Sequence, residues 1–280
     1  MTFWRAQERA RAAGGNLILR IEDLDVTRCR PEFFDAIIED LKWFGFEWGE
    51  GPDVGGAFAP YVQSERRKFY LDTLEKLRAA GSIYPCRCSR RDVLEAAVAP
   101  HDEDQEPIYP GTCRPVAGAV VSAASSVAAT PPDASATQAR RLPPQSQPAG
   151  INWRFRVPDG EQMKFVDEHL GRQSAVAGKD FGDFIIWRRD NVPAYQLAVV
   201  VDDVAMQITE VVRGEDLLLS TFRQLLLYRA LNLKAPRFYH APLLLDGSGR
   251  RLAKRNAALS LRALRESGAK PEEIRARYLL

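Results

Sequence analysis

The stretch GGNLILRIEDLD, residues 14–25, restricts the possible folds more than any other. A strand-length apolar run, Leu17-Ile18-Leu19, passes through Arg20 and Ile21 and ends in Glu22, Asp23 and Asp25. Carboxylates at the end of a buried strand are costly unless something binds them. Residues 3–13 before it read as a helix running into Gly14-Gly15, a plausible C-cap. The chain thus opens helix, tight turn, strand, with an acidic strand end waiting for a partner.

The same alternation continues. PEFFDAIIEDLKWFGFEWG places Phe34, Ile37, Ile38, Leu41 and Phe44 at helical spacing after Pro31, a stripe that fits a core face. RRKFYLDTLEKLRAAG predicts a second amphipathic helix with Tyr70, Leu74 and Leu77 inward, closed by Gly81. Beyond Tyr84 a cysteine-bearing stretch runs to Cys113, and 115–150 is rich in Ala, Ser, Pro and Gln. That composition buries too little apolar surface to offset ordering, so a disordered loop is expected there. WRFRV, the turn PDGE and MKFVDEHLG read as a hairpin; FIIWRR and YQLAVVVDD read as a further strand pair. ITEVVRGED reads as another strand end, and LSTFRQLLLYRALNL as a helix with Ser220 or Thr221 near its cap. Strands and helices on both sides of a β-rich interruption predict an α/β, doubly wound parallel sheet split by an insertion. The boundaries fall at 1–83, 84–180 and 181–280. Ligands sit at the carboxyl ends of strands in such folds, where Glu22, Asp202, Asp203 and Arg213 are expected.

Charge is unevenly spread. From Arg213 to Leu280 there are fourteen Lys/Arg and six Asp/Glu, so this third carries about +8 within a chain whose net charge is +2. A basic C-terminal third is compatible with a polyanion such as nucleic acid, and equally with solvated helix faces. No apolar run reaches membrane-spanning length, the N-terminus has no signal-peptide core, and four cysteines do not make a secreted disulfide scaffold. A cytoplasmic protein is expected.

Three constellations carry chemistry. Cys86 and Cys88 are followed by Tyr109 and Cys113 in a loop-rich segment. Three thiolates and one further ligand can close a tetrahedral structural zinc site, and spacing alone leaves Tyr109 and His101 open as the fourth. Cys29 stands apart. Second, DGSGRRLAKRNAAL forms a glycine-containing basic loop able to close over phosphates. Third, Tyr195 and Arg213 are expected at strand positions beside Glu22. A carboxylate suits an ammonium group, and a guanidinium suits a carboxylate, so together they can hold an amino acid at both ends.

LRIEDLD, YVQSERRKFY, AYQLAVVVDD, VVRGEDLL and the loop RLAKR resemble, in that order, the catalytic core of class I glutamyl-tRNA synthetases over most of the chain. The C-x-C…Y-x-x-x-C arrangement and AYQLAVVVDD are similar to the family's short branch, the glutamyl-queuosine tRNA(Asp) synthetases. So is the brief tail after the basic loop, too short for an anticodon-binding domain. The resemblance implies a Rossmann-like domain interrupted by a zinc-binding α+β insertion. It also implies tRNA-independent activation of L-glutamate with ATP and Mg2+, then transfer of glutamate to queuosine in the anticodon of tRNA(Asp); the alternatives are the catalytic core of a tRNA(Glu)-charging synthetase and a non-catalytic paralogue. Nothing in the sequence demands an oligomer, so a monomer is expected.

By position, the resemblance gives Glu22 the amino group of glutamate, Tyr195 the pocket wall and Arg213 a substrate carboxylate. Lys254, within the loop Arg251-Leu252-Ala253-Lys254-Arg255, takes the ATP phosphates; Arg251 and Ala253 depart from the Lys-Met-Ser-Lys pattern. Cys86, Cys88, Tyr109 and Cys113 match zinc ligands, while Asp23 and Asp25 support the pocket and cap the following helix. The family's opening strand, with a substrate arginine and a His-x-Gly-x ATP motif, has no counterpart here, so a sheet without its first strand is expected.

Overall fold

The computed structural model describes residues 2–25, 29, 32–96, 107–115, 150–243 and 260–278. Helix α1 (Thr2–Ala12) ends where Gly14 takes φ +60°. The amides of Gly14 and Gly15 donate to the carbonyls of Arg11 and Ala10, the paired closure expected of a glycine-terminated helix. The turn delivers residues 17–21 in extended form. Two isolated parallel bridges, Ile18 with Glu50 and Ile21 with Val62, replace the continuous strand the sequence predicts. The partners are two separate loop segments, so no regular ladder builds.

Helix α2 (Glu32–Phe44) buries Leu41 and Phe44 against Phe46 and Ile274, with Trp4 packed on them. Ile37 is 45 % exposed, so only the C-terminal half of the predicted stripe is core. Helices α7 (Leu261–Glu266) and α8 (Pro271–Tyr278) contribute Leu261, Leu264 and Ile274 to this cluster. A short 3-10 turn, Gln63–Arg66, leads into α3 (Arg67–Ala79). Tyr70, Leu74 and Leu77 of α3 are fully buried and Gly81 takes φ +67°, as the periodicity predicts.

The middle of the chain is antiparallel. Strand β1 (Ile83–Cys86) pairs with β2 (Asn152–Phe155), which pairs with β5 (Phe184–Trp187). Helix α4 (Arg90–Ala96) follows β1. Strands β3 (Gln162–Asp167) and β4 (Gly171–Val176) form the hairpin. The predicted hairpin across PDGE is therefore incorrect: β2 takes partners distant in sequence, and the tight turn lies at 168–170.

Helix α5 (Tyr195–Ala205) corrects a second expectation. YQLAVVVDD was expected as a strand, yet residues 197–203 are consecutively buried in a helix surrounded by core. An apolar run without period fits either element, and burial on every side overrides the strand preference of valine. After it, β6 (Glu210–Gly214), the 3-10 turn Glu215–Leu217, α6 (Leu218–Ala230) and β7 (Arg237–Ala241) make a crossover unit with β6 and β7 parallel. Ser220 and Thr221 sit inside α6 rather than capping it, because the preceding turn feeds directly into the helix. Among the described residues, parallel pairing is limited to β6–β7, the bridges of residues 17–21 and an isolated Ala177–Phe181 bridge, a smaller parallel component than a doubly wound sheet.

Candidate functional site

The carboxylates of residues 22–25 do not act together. Asp23 accepts the backbone N–H of Ser64 at 2.8 Å and its hydroxyl at 2.6 Å. It caps the turn before α3, which corrects the expectation that it caps α2, the helix that follows it in sequence. Glu22 points elsewhere: its Oε1 accepts from Arg20 Nη2 at 2.8 Å, and its side chain is 41 % exposed. Arg20 also donates to Asp203 Oδ1 at 2.9 Å. Burial opposes the charge on Arg20, but Asp203, Glu22 and Asp202 together push its guanidinium above the ordinary value. Burial lifts the Asp203 carboxyl, with Arg20 working against that rise.

Asp202, the neighbour on α5, is fully buried and structural. Its oxygens accept from Arg66 Nε at 2.6 Å, Gln63 Nε2 at 2.8 Å and the Tyr70 hydroxyl at 3.0 Å. Three residues of YVQSERRKFY thus converge on one carboxylate, joining α3 to α5.

Tyr195 is the first residue of α5, not a strand residue, but its predicted companions still act on it. Burial raises its hydroxyl above the ordinary tyrosine value, with Arg213 opposing and Glu22 and Asp203 reinforcing that rise, so it stays neutral. Arg213, on β6, is 7 % exposed. Its Nε donates to His240 Nε2 at 3.2 Å, its Nη2 donates to Thr221 Oγ1 at 2.5 Å, and its carbon lies 5.3 Å from the Phe238 ring centre. All three partners are neutral, and among the described residues no carboxylate forms an ion pair with it. Tyr195 is thus within electrostatic reach of both Arg213 and Glu22, the residues predicted beside it. Sequence reasoning missed Arg20, Thr221 and His240; a lone histidine in the apolar strand FYHAPLL was the available signal for the last.

Beside this group opens a cleft of about 530 Å³ between residues 15–20 and 206–212, floored by α1. Arg9, Arg20, Glu22, Trp48, Asp203 and Arg237 line it. Its size suits a small polar ligand. The basic loop, with Arg251, Leu252, Ala253, Lys254 and Arg255, lies outside the described residues, as do His101 and residues 116–149.

The cysteine group is assembled. The sulfurs of Cys86, Cys88 and Cys113 lie within 4.8 Å of one another. The Tyr109 hydroxyl is 3.5 Å from the sulfurs of both Cys86 and Cys88, and accepts the Cys113 N–H at 2.8 Å. Arg154, 6 % exposed, donates from Nε to Cys86 Sγ at 3.2 Å and stacks 3.9 Å from the Tyr109 ring centre. Despite opposing burial, hydrogen bonds from Arg87 N–H and Tyr109 pull the Cys113 thiol down to about 7. Three soft donors and one phenolic oxygen converging beside a buried cation form a donor set that fits a tetrahedral zinc ion. Cys29 is apart from the group, its sulfur 3.9 Å from the Glu22 carbonyl.

Comparison with known proteins gives this geometry a family. Residues 5–280 match the family described as tRNA synthetases class I (E and Q), catalytic domain. A glutamyl-Q tRNA(Asp) synthetase of Symbiobacterium thermophilum is 47 % identical over 266 residues, covering 95 % of this chain and 76 % of the relative. One of Nitratidesulfovibrio vulgaris is 45 % identical, covering 98 % and 77 %. The crystal structure of a glutamate-tRNA synthetase from Elizabethkingia anophelis superposes with a TM-score of 0.70 at 28 % identity, over 91 % of this chain and 49 % of that one. The chain therefore spans about half the length of that solved structure. No helix among the described residues is long and apolar enough to cross a membrane. Fold, motif order and relatives agree: the chain belongs to the class I tRNA synthetases of the E and Q type, through their catalytic domain.

Proposed function

We propose that this protein activates L-glutamate with ATP, without tRNA, to glutamyl-adenylate, and transfers glutamate to the queuosine base in the anticodon of tRNA(Asp). The observation that carries the reading is a buried Arg213, with no carboxylate ion pair among the described residues, whose charge reaches Tyr195 together with that of Glu22. A dicarboxylic amino acid matches this pair at both ends. Glu22 takes the ammonium group, Arg213 takes the side-chain carboxylate, and Tyr195 walls the space between. A carboxylate clamped by a buried guanidinium is a poor nucleophile, so the α-carboxylate is the one left to attack the α-phosphorus of ATP. Lys254, aided by Arg251, neutralises the phosphates, with Mg2+ accompanying ATP. Cys86, Cys88, Cys113 and Tyr109 hold one structural zinc and organise the antiparallel insertion. The choice of tRNA(Asp) over tRNA(Glu) is supported by the names of the 45–47 % identical relatives. The protein acts in the cytoplasm as a monomer.

The deciding experiment is glutamate-dependent ATP–pyrophosphate exchange without tRNA, with aspartate and glutamine as controls. It is followed by glutamate transfer to tRNA(Asp) with and without queuosine, and to tRNA(Glu). Exchange with glutamate alone and transfer that requires queuosine are expected. Transfer to tRNA(Glu) would overturn the acceptor, and absence of exchange would overturn the activation step.

A further inference from the structure

Arg213 is held by a shell that reaches back into the protein. His240 Nε2 accepts the Arg213 Nε–H and lies 2.9 Å from Thr221 Oγ1. A ring nitrogen that accepts from a guanidinium carries no proton, so the ring proton is on Nδ1. There Asp167 Oδ2 accepts it at 2.6 Å. The other oxygen, Oδ1, accepts the backbone N–H groups of His169 and Leu170 at 3.0 and 2.8 Å. Both side chains are completely buried. Two of the five guanidinium N–H groups are thereby fixed, by His240 and Thr221, and the Tyr195 hydroxyl also meets this guanidinium; the remaining N–H groups can serve a carboxylate.

We propose that Asp167 and His240 are positioning residues for the substrate carboxylate. Asp167 sets the imidazole tautomer, and His240 with Thr221 orients Arg213. The proposal deepens the reading of the glutamate pocket and rests on it.

The charged groups facing the ring are Asp167 from β3, Arg213 from β6 and Asp216 from the turn before α6; Phe165 and Phe238 stack around it. Burial and Arg213 outweigh the two aspartates, and the imidazole is held below its ordinary value. It is therefore neutral at pH 7. Protonation places an Nε2–H against the Arg213 Nε–H, donor against donor and cation against cation. Glutamate affinity falls with acid, in a range below that of an ordinary histidine.

The full chain contains three histidines, so 15N-labelled imidazole signals can be assigned by substitution. The wild type is expected to show one neutral ring protonated on Nδ1 that stays neutral below pH 6.5. Asp167→Asn keeps an oxygen for the His169 and Leu170 amides but turns an amide NH2 toward Nδ1, forcing the opposite tautomer. Its glutamate KM in the exchange reaction should rise about tenfold or more, with kcat nearly unchanged. His240→Gln offers an uncharged acceptor at the Nε2 position; it should recover most of the affinity and lose the acid fall.

A wild-type ring protonated on Nε2, an Asp167→Asn chain with unchanged KM, or a His240→Gln chain with the wild-type acid fall each overturns the proposal. A wild type that binds no glutamate, measured by calorimetry, instead overturns the pocket reading and the positioning role with it. The tautomer then still shows whether the hydrogen-bonded relay exists.

Discussion

Replacing Asp202 by Asn removes a charge from a place with no water. Asp202 is wholly buried and accepts hydrogen bonds from three side chains, one of them the guanidinium of Arg66, itself 1 % exposed. Arg66 Nη1 is already committed to the carbonyls of Pro60 and Phe58. It cannot turn to solvent without opening residues 58–60. The substitution therefore strands a buried cation, with Arg20 Nε, 3.7 Å from the same carboxylate, as a second loser. Breaking one side of such a pair costs about 3–5 kcal/mol. A chain of this length loses about 2 °C of melting temperature per kcal/mol, so a drop of about 6–10 °C is expected. The assay is a thermal melt of wild type, Asp202→Asn, Arg66→Met and the double variant Arg66→Met/Asp202→Asn. Because the second change relieves the first, the double variant should melt above either single one. Costs that simply add would refute the view of Asp202 as the hub joining α3 to α5.

Other consequences are as specific. Arg213→Met should raise the glutamate KM about 100-fold, the loss of a charge-assisted pair worth about 3 kcal/mol, and Arg213→Lys should recover only part of it; pyrophosphate exchange measures both. Metal analysis should find one zinc per chain, and Cys88→Ser or a strong chelator should remove it and lower the melting temperature by several degrees. Glu210 ties β6 to α1 through Arg9, at 2.6 and 3.0 Å, and Arg9 holds its carboxyl below the ordinary value despite opposing burial. Its contribution is therefore complete above the unfolded value near 4.5 and is lost as pH falls through the lower folded value. Glu210→Gln should cost about 1 kcal/mol at pH 7, allowing for solvent screening, and nothing near pH 3 by denaturant titration.

The sequence was most readable where structure is local. The α1 closure at Gly14-Gly15, the inward face of α3 and strand β6 follow from spacing and turn chemistry. Helix α5 did not, because seven consecutive buried residues carry no period. The strong turn PDGE suggested a hairpin, but β2 pairs with β1 and β5 across long separations that turn chemistry cannot report. The same limit governs the site. Glu22, Tyr195 and Arg213 could be proposed from motif order. Their supports could not: His240 and Asp167 are 73 residues apart, and Arg66 and Asp202 are 136 apart.

Among the described residues, three arginines are buried: Arg66, Arg154 and Arg213. A buried guanidinium is tolerated only when its charge is met, so the partner of each reports its purpose. Arg66 meets Asp202 and is scaffold. The other two have no carboxylate partner among the described residues. Arg213 ends on His240, Thr221 and an aromatic face. Arg154 ends on Cys86 Sγ, the backbone carbonyl of Asp183 and the Tyr109 ring. For Arg213 the proposed glutamate pocket supplies the missing anion as a substrate carboxylate. For Arg154 the proposed zinc site would supply it, since three thiolates around a dication would carry one net negative charge, which a single guanidinium cancels. Such a guanidinium should be felt in metal affinity: Arg154→Met should bind zinc more weakly than Arg154→Lys in competition with a chromophoric chelator. Equal affinities in the two variants would show that Arg154 acts through packing on Tyr109 rather than through its charge.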